Sequence, residues 1–171
     1  MVIMVDPKEV LELIKSRRSI RCFSDDMIPD DQINMILEAG KWAPTASNRQ
    51  EVRFLVIKDK DILNKLSETA IYGKFVREAP ILIAIIGKTH ENPNWYVQDT
   101  SLASMNMMLM AWSLDIGTCW IGSMDRKAAK QILNLKKDDF LLTILPFGYL
   151  RKDIPNPPPR KELEDITKKI E

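Results

Sequence analysis

Ser16-Arg17-Arg18-Ser19-Ile20-Arg21-Cys22-Phe23 places three guanidinium groups and two hydroxyls within eight residues. It follows an amphipathic helix that Asp6-Pro7 opens with a cap residue and a first-turn proline, and whose apolar face is Val10, Leu11, Leu13 and Ile14. Arginine offers planar, permanently charged forks that match phosphate oxygens, and a serine between them adds a small donor. On their own the same cations read equally as complements to the negative end of the helix dipole. The rest of the chain decides between the two.

The 171 residues fit one domain, residues 1–171, with a C-terminal extension, and at 45% hydrophobic residues they can build a sizeable core. A net charge of +1 argues against a general nucleic-acid binder, so any phosphate site has to be local. No apolar run is long enough to span a bilayer, and the N-terminus lacks a signal-peptide pattern. Cys22 and Cys119 stand alone without metal-ligand spacing and read as reduced thiols, which points to a cytoplasmic protein. The single histidine, His90, sits in the polar run Thr89-His90-Glu91-Asn92-Pro93-Asn94 and reads as a surface residue, which argues against a histidine triad or a zinc site.

Along the chain, Pro29-Asp30-Asp31 opens a second helix that runs to about Trp42 and meets Pro44. Ala43 to Gln50 is a loop, and Val52 to Ile57 predicts a buried strand. A helix over Asp59–Thr69, a short helical turn over Gly73–Arg77, and a central strand through Ile81-Leu82-Ile83-Ala84-Ile85-Ile86 follow. Trp95 to Leu114 is the longest helix. Its middle, Ala103 to Ala111, is apolar nearly all round and so belongs in a core or a subunit interface. Gly117 to Ser123 is a strand or turn, Arg126 to Leu133 a helix, and Phe140 to Tyr149 a strong strand. Pro155, Pro157, Pro158 and Pro159 then force an extended arm, and Glu162 to Glu171 reads either as a helix or as a short strand. The sum is an α+β or mixed α/β domain with helices around one sheet. Neither a dinucleotide-binding glycine fingerprint nor a P-loop is present.

At this point several stretches, taken in order, resemble the nitroreductase family of flavin-dependent NAD(P)H oxidoreductases. Arg17 to Phe23 is similar to its opening motif. Ala43 to Gln50 is similar to its second, although Arg49 interrupts it and Glu51-Val52 replaces the usual Pro-Trp. Asp99 to Ala111, with Asn106, resembles the family's long central helix, and Gly117 to Gly122 its flavin-edge strand. Phe147-Gly148-Tyr149 and Arg160-Lys161-Glu162-Leu163-Glu164 resemble its closing motifs.

The resemblance implies a nitroreductase-like fold with a mainly antiparallel central sheet, a homodimer whose C-terminal arm, residues 150–171, is exchanged between subunits, and FMN as cofactor. It implies that Arg17 and Ser19 contact the phosphate and ribityl chain, with Arg18 beside them, and that Arg160 reaches the same phosphate. Arg21 is assigned to the pyrimidine edge of the flavin. Pro44, Thr45, Ala46 and Asn48 would come from the other subunit, and Ile121 and Gly122 would offer a backbone N–H to the N5 side. Pro158 stands where a second late cation is usual, and Lys74 aligns only loosely with another flavin cation. The implied activity is ping-pong hydride transfer from NAD(P)H through flavin N5 to an oxidised small molecule such as a nitroaromatic or a quinone, the flavin carrying the chemistry without a catalytic side chain. Three alternatives stand beside it: another flavin reaction such as reductive dehalogenation, a flavin-binding or scaffolding protein without turnover, and arginines that are merely surface cations.

Overall fold

A computed structural model describes residues 5–170. The first helix, α1 (Pro7–Ser16), begins where Asp6 accepts the Lys8 N–H in its side chain and ends at Arg17. Next come α2 (Asp30–Lys41), β1 (Val52–Ile57), α3 (Lys60–Thr69), β2 (Ile81–Lys88), α4 (Tyr96–Ser113), β3 (Ile116–Thr118), α5 (Arg126–Ile132), β4 (Asp139–Tyr149) and a single turn, α6 (Leu163–Ile166). Asp59 and Asp125 cap α3 and α5 by accepting the N–H groups of Ile62 and Ala128.

The strands form one antiparallel sheet in the order β1-β2-β4-β3. Strand β2 is buried on both faces, and its alternating side chains divide the core in two. Leu82, Ala84 and Ile86 pack with Leu63 and Leu66 of α3 and Ala129 of α5. Ile81, Ile83 and Ile85 pack with Ile33 and Ile36 of α2 and Met107, Met108 and Ala111 of α4. Each such buried aliphatic side chain contributes about 1.5–3 kcal/mol relative to exposure. The β2–β4 register slips between Ile85 and Ile86, because Ile85 faces Thr143 while Ile86 faces Leu141. The bulge leaves the Leu142 carbonyl outside the ladder, and Arg126 donates to it from Nε at 3.3 Å and Nη2 at 3.1 Å.

One expectation changes. Strand β1 is not buried. It is the sheet's edge, with Arg53 and Leu55 open to solvent on one face, because only β2 pairs with it. Helix α4 buries one side only. Its Leu102 and Met105 remain 46% and 38% exposed, alongside Val10, Leu11 and Ile14 of α1, Met35 of α2, and Trp42 at 75%. An amphipathic α1 without a buried residue and an α4 whose middle is largely apolar thus leave apolar surface facing outward. Finally, the tail takes both of its alternatives in part: one helical turn, then extended residues 167–170 that pair with no strand among the described residues. Leu163, Ile166 and Ile170 are exposed along it.

Candidate functional site

The arginine stretch lies against the β3 end of the sheet. Ile20 N–H donates to the Thr118 carbonyl at 2.8 Å, Ser24 N–H to the Tyr149 carbonyl at 2.9 Å, and Arg151 N–H to the Cys22 carbonyl at 3.3 Å. Two glycines allow this approach. A Cβ on Gly117 would sit 2.7 Å from Ile20, and one on Gly148 3.0 Å from Phe23. The sequence therefore clamps Ser19 to Phe23 by backbone bonds and by the buried side chains of Ile20 and Phe23, which leaves Arg21 between them free to point elsewhere.

Arg17 is half-buried, and its Nη1 is buried without a hydrogen-bond partner among the described residues. Burial holds its guanidinium below the ordinary arginine value; Cys119 opposes this, and the positive charges of Arg18 and Arg160 add to it. The chain thus gathers cations from both of its ends around a desolvated donor that lacks an acceptor. Arg18 is differently employed. It donates from Nε to the Pro155 carbonyl at 3.1 Å and from Nη1 to the carbonyls of Lys15 at 2.6 Å and Arg17 at 2.9 Å. Its side chain fastens the base of the arm to the end of α1.

Arg21 is exposed and shares a shallow pocket of about 190 Å³ with Tyr72, Phe75, Trp120, Ile121 and Gly122. Ile121 and Gly122 belong to a segment anchored from behind. Thr143 Oγ1 donates to the Ile121 carbonyl at 3.0 Å and Arg126 Nη2 to the Gly122 carbonyl at 3.3 Å. Cys119 is a free, buried thiol beside them whose ionisation is pushed up by burial, although Arg21, Ser19 and Arg17 oppose it. Lys74 lies outside that pocket, exposed, with Nζ 4.0 Å from Glu68.

Pro44, Thr45, Ala46 and Asn48 are not brought to this cluster within the chain. Thr45 lines a separate cavity with α2 and β1. The loop is tightly held. Ser47, Asn48 and Gln50 have φ near +54°, +53° and +53°, a left-handed conformation that non-glycine residues enter only when surroundings enforce it. The enforcement is visible: Ala46 N–H donates to Asp99 Oδ2 at 3.0 Å, Gln50 N–H to Thr45 Oγ1 at 3.0 Å, and Arg49 Nη1 to the Glu91 carbonyl at 2.6 Å.

The residues that hold these segments were not among the sequence candidates. Asp99 under the loop, and Arg126 and Thr143 behind Ile121, act through backbone atoms, while Asn92 and Glu51 meet the Asp99 side chain from below. The signal available for Glu51 was an acid at the entry to an apolar strand.

Comparison with known proteins agrees with this architecture. The nitroreductase family profile matches residues 14–73 and 64–149. A provisionally assigned NADH dehydrogenase/NAD(P)H nitroreductase of Archaeoglobus fulgidus is 35% identical over 149 residues, covering 83% of this chain and 86% of that protein. One of the same description from Methanothermobacter thermautotrophicus is 33% identical over 151 residues, covering 85% and 79%. The structure of a provisionally assigned nitroreductase from Desulfovibrio desulfuricans in complex with FMN has a TM-score of 0.85 at 30% identity, covering 98% of this chain and 99% of that one. Fold and site define an α+β protein with a cluster of arginines at one end of its sheet. The chain belongs to the nitroreductase family.

Proposed function

We propose that this protein is an FMN-dependent NAD(P)H oxidoreductase. The observation that carries the reading is the buried, unpartnered Nη1 of Arg17 within reach of the charges of Arg18 and Arg160. Burying a cation among cations is unfavourable unless an anion completes the arrangement, and a phosphate monoester supplies up to two negative charges and several acceptor oxygens. The donor set fits FMN: guanidinium forks for the phosphate, the Ser19 hydroxyl beside them, an exposed Arg21, and the backbone of Ile121 and Gly122 along a pocket with aromatic walls. When bound, the flavin supplies reversible hydride acceptance, which no side chain here provides.

Each residue then has a defined task. Arg17 and Arg160 hold the phosphate, and Arg18 sets the arm so that Arg160 arrives. Arg21 places a positive charge near the pyrimidine edge, where reduction accumulates negative charge. Thr143 and Arg126 fix the carbonyls of Ile121 and Gly122, which orients the peptide N–H groups toward the ring. Pro44, Thr45, Ala46 and Asn48 reach the flavin of the other subunit in a homodimer built on the exposed faces of α1 and α4, with residues 150–171 as the exchanged arm. Related proteins support the chemistry: a Bacillus subtilis relative, 24% identical, is named an FMN reductase [NAD(P)H]. The acceptor is an oxidised small molecule, of which nitroaromatics and quinones are the natural classes for an open flavin face.

The test is the visible spectrum of the purified protein and identification of the flavin released on denaturation, followed by anaerobic titration with NADH and with NADPH and reoxidation by a nitroaromatic or a quinone. FMN released, bleached by a reduced nicotinamide and restored by acceptor is the expected result. A colourless protein that takes up no FMN would overturn the reading.

A further inference from the structure

Beneath loop 44–50 lies a pair of carboxyl groups that the proposed function does not use. Glu51 is 0% exposed and Asp99, in the first turn of α4, is 4% exposed. Asn92, also buried, bridges them, its Nδ2 reaching Glu51 Oε1 at 3.3 Å and Asp99 Oδ2 at 2.9 Å. The same Oδ2 accepts the Ala46 N–H. Glu51 Oε2 is buried and has no donor among the described residues. Two ionised carboxylates cannot share such a site without strong repulsion, whereas one proton between them supplies the missing donor.

We propose that Glu51 is a positioning residue that shares one carboxyl proton with Asp99 through the Asn92-bridged buried pair, and that this shared proton holds loop 44–48 in its flavin-facing shape. The inference rests on the flavin reading for the loop's role. Two N–H groups from other residues, Ala46 and Asn92, point at Asp99, whereas Glu51 has the longer bond from Asn92 and its own backbone N–H. Burial and the adjacent Asp99 both push the Glu51 carboxyl above its usual range.

The other charges around the pair do not neutralise it. Arg49, in the loop, donates to the Glu91 carbonyl. Arg53, on β1, donates to the carbonyls of Gln50 and Val52 and lies 3.7 Å from the Glu91 carboxylate. His90 lies 2.8 Å from Asp138 and 3.7 Å from Glu91.

The sign follows. A carboxyl raised in the folded protein stays protonated where the unfolded chain has already ionised, so stability falls as pH rises from the ordinary carboxylate range toward the raised value. Ionising both acids turns Asp99 away from Ala46 and releases the left-handed turn.

The experiment compares wild type, Glu51→Gln and Asp99→Asn. The glutamine amide donates to Asp99 and accepts from Asn92 without titrating. FMN affinity is measured from about pH 6 to about pH 9, where wild type is expected to weaken relative to Glu51→Gln by up to about tenfold per pH unit over which the proton is lost. Ionisation of FMN itself cancels in that ratio. Thermal unfolding of the flavin-free proteins over the same range is the second readout, with a wild-type Tm that falls against both variants. Asp99→Asn carries the comparison if Glu51→Gln does not fold. Parallel pH profiles in both readouts overturn the proposal. Diverging Tm with parallel FMN affinity overturns the positioning role. If no variant binds FMN, the flavin reading itself has failed and the Tm curves alone decide whether the proton is shared.

Discussion

Replacing Arg17 with alanine separates an anion-binding cation from a structural one. Arg17 is half-buried, its Nη1 meets no acceptor among the described residues, and Arg18 and Arg160 repel it. Alanine therefore removes an unfavourable group, and the flavin-free Tm is expected to stay level or rise. With FMN present the same substitution removes charge-assisted hydrogen bonds worth about 1.5–3 kcal/mol. That corresponds to an affinity loss of about tenfold to about 150-fold, since 1.4 kcal/mol is a factor of ten. Flavin fluorescence on titration of the flavin-free protein measures the affinity, and differential scanning calorimetry the Tm. Arg17→Lys should fall between, keeping charge and losing the fork. Wild-type FMN affinity in Arg17→Ala would refute the phosphate role. So would a flavin-free Tm lower by more than about 3 °C, roughly 1 kcal/mol for a chain of this size, because it would make Arg17 a stabilising cation.

Arg21→Ala is expected to lower the flavin's midpoint potential and slow its reduction by NAD(P)H with a smaller loss of oxidised-FMN affinity, and a potentiometric titration matching wild type would remove Arg21 from the ring edge. Asp139 is buried and ion-paired with Lys88. Burial raises its carboxyl, but Lys88 and the Lys136 N–H outweigh this and hold it below the usual range. The pair thus stabilises above the ordinary carboxylate range and is lost as pH falls through the lowered value. Asp139→Asn should cost about 3 kcal/mol in denaturant unfolding near neutrality, the lower end for a broken buried pair, and the gap to wild type should close in acid; a constant gap contradicts the assignment. The protein is expected to be a dimer burying on the order of 2,000 Å² or more in total, and a stable monomer by light scattering at low micromolar concentration, or full flavin retention after deletion of residues 155–171, would refute it.

Elements were legible where one local force decides them. The Asp6-Pro7 start satisfies an orphan helix N–H group with its own side chain, and that signal lies within a few residues. The unbroken aliphatic run of β2 could only be an inner strand. What was not legible depends on neighbours distant in sequence. Edge or centre for β1 is set by which strand lies beside it, and its aliphatic composition looks the same in both. The arginine stretch reads as a candidate phosphate site from its residue types, yet which arginine stays free was not legible. Arg17 and Arg18 are adjacent, and only the course of the arm past Pro155 decides that Arg18 is occupied while Arg17 is left with a bare Nη1. Glu51 escaped notice because its meaning lies in Asp99, on another element.

The exposed apolar faces and the cation cluster bear on one another through the arm. Arg18 grips the carbonyl of Pro155, and Arg160, farther along the same extended segment, comes within electrostatic reach of Arg17. Prolines at 155, 157, 158 and 159 keep that stretch extended and limit the entropy it must lose to stay there. Beyond Arg160 the chain offers Leu163, Ile166 and Ile170 to solvent. Cover for these side chains from a second copy would fix the end of the arm, and a fixed arm would present Arg160 to the phosphate without a further ordering penalty. Binding of FMN and assembly of the dimer would then reinforce each other by mass action, since each favours the same position of residues 155–160. In that arrangement the mutual repulsion of Arg17, Arg18 and Arg160 has a use: the cluster is poorly satisfied until the anion arrives, so the binding energy of the phosphate is spent on ordering the segment that joins the site to the subunit interface.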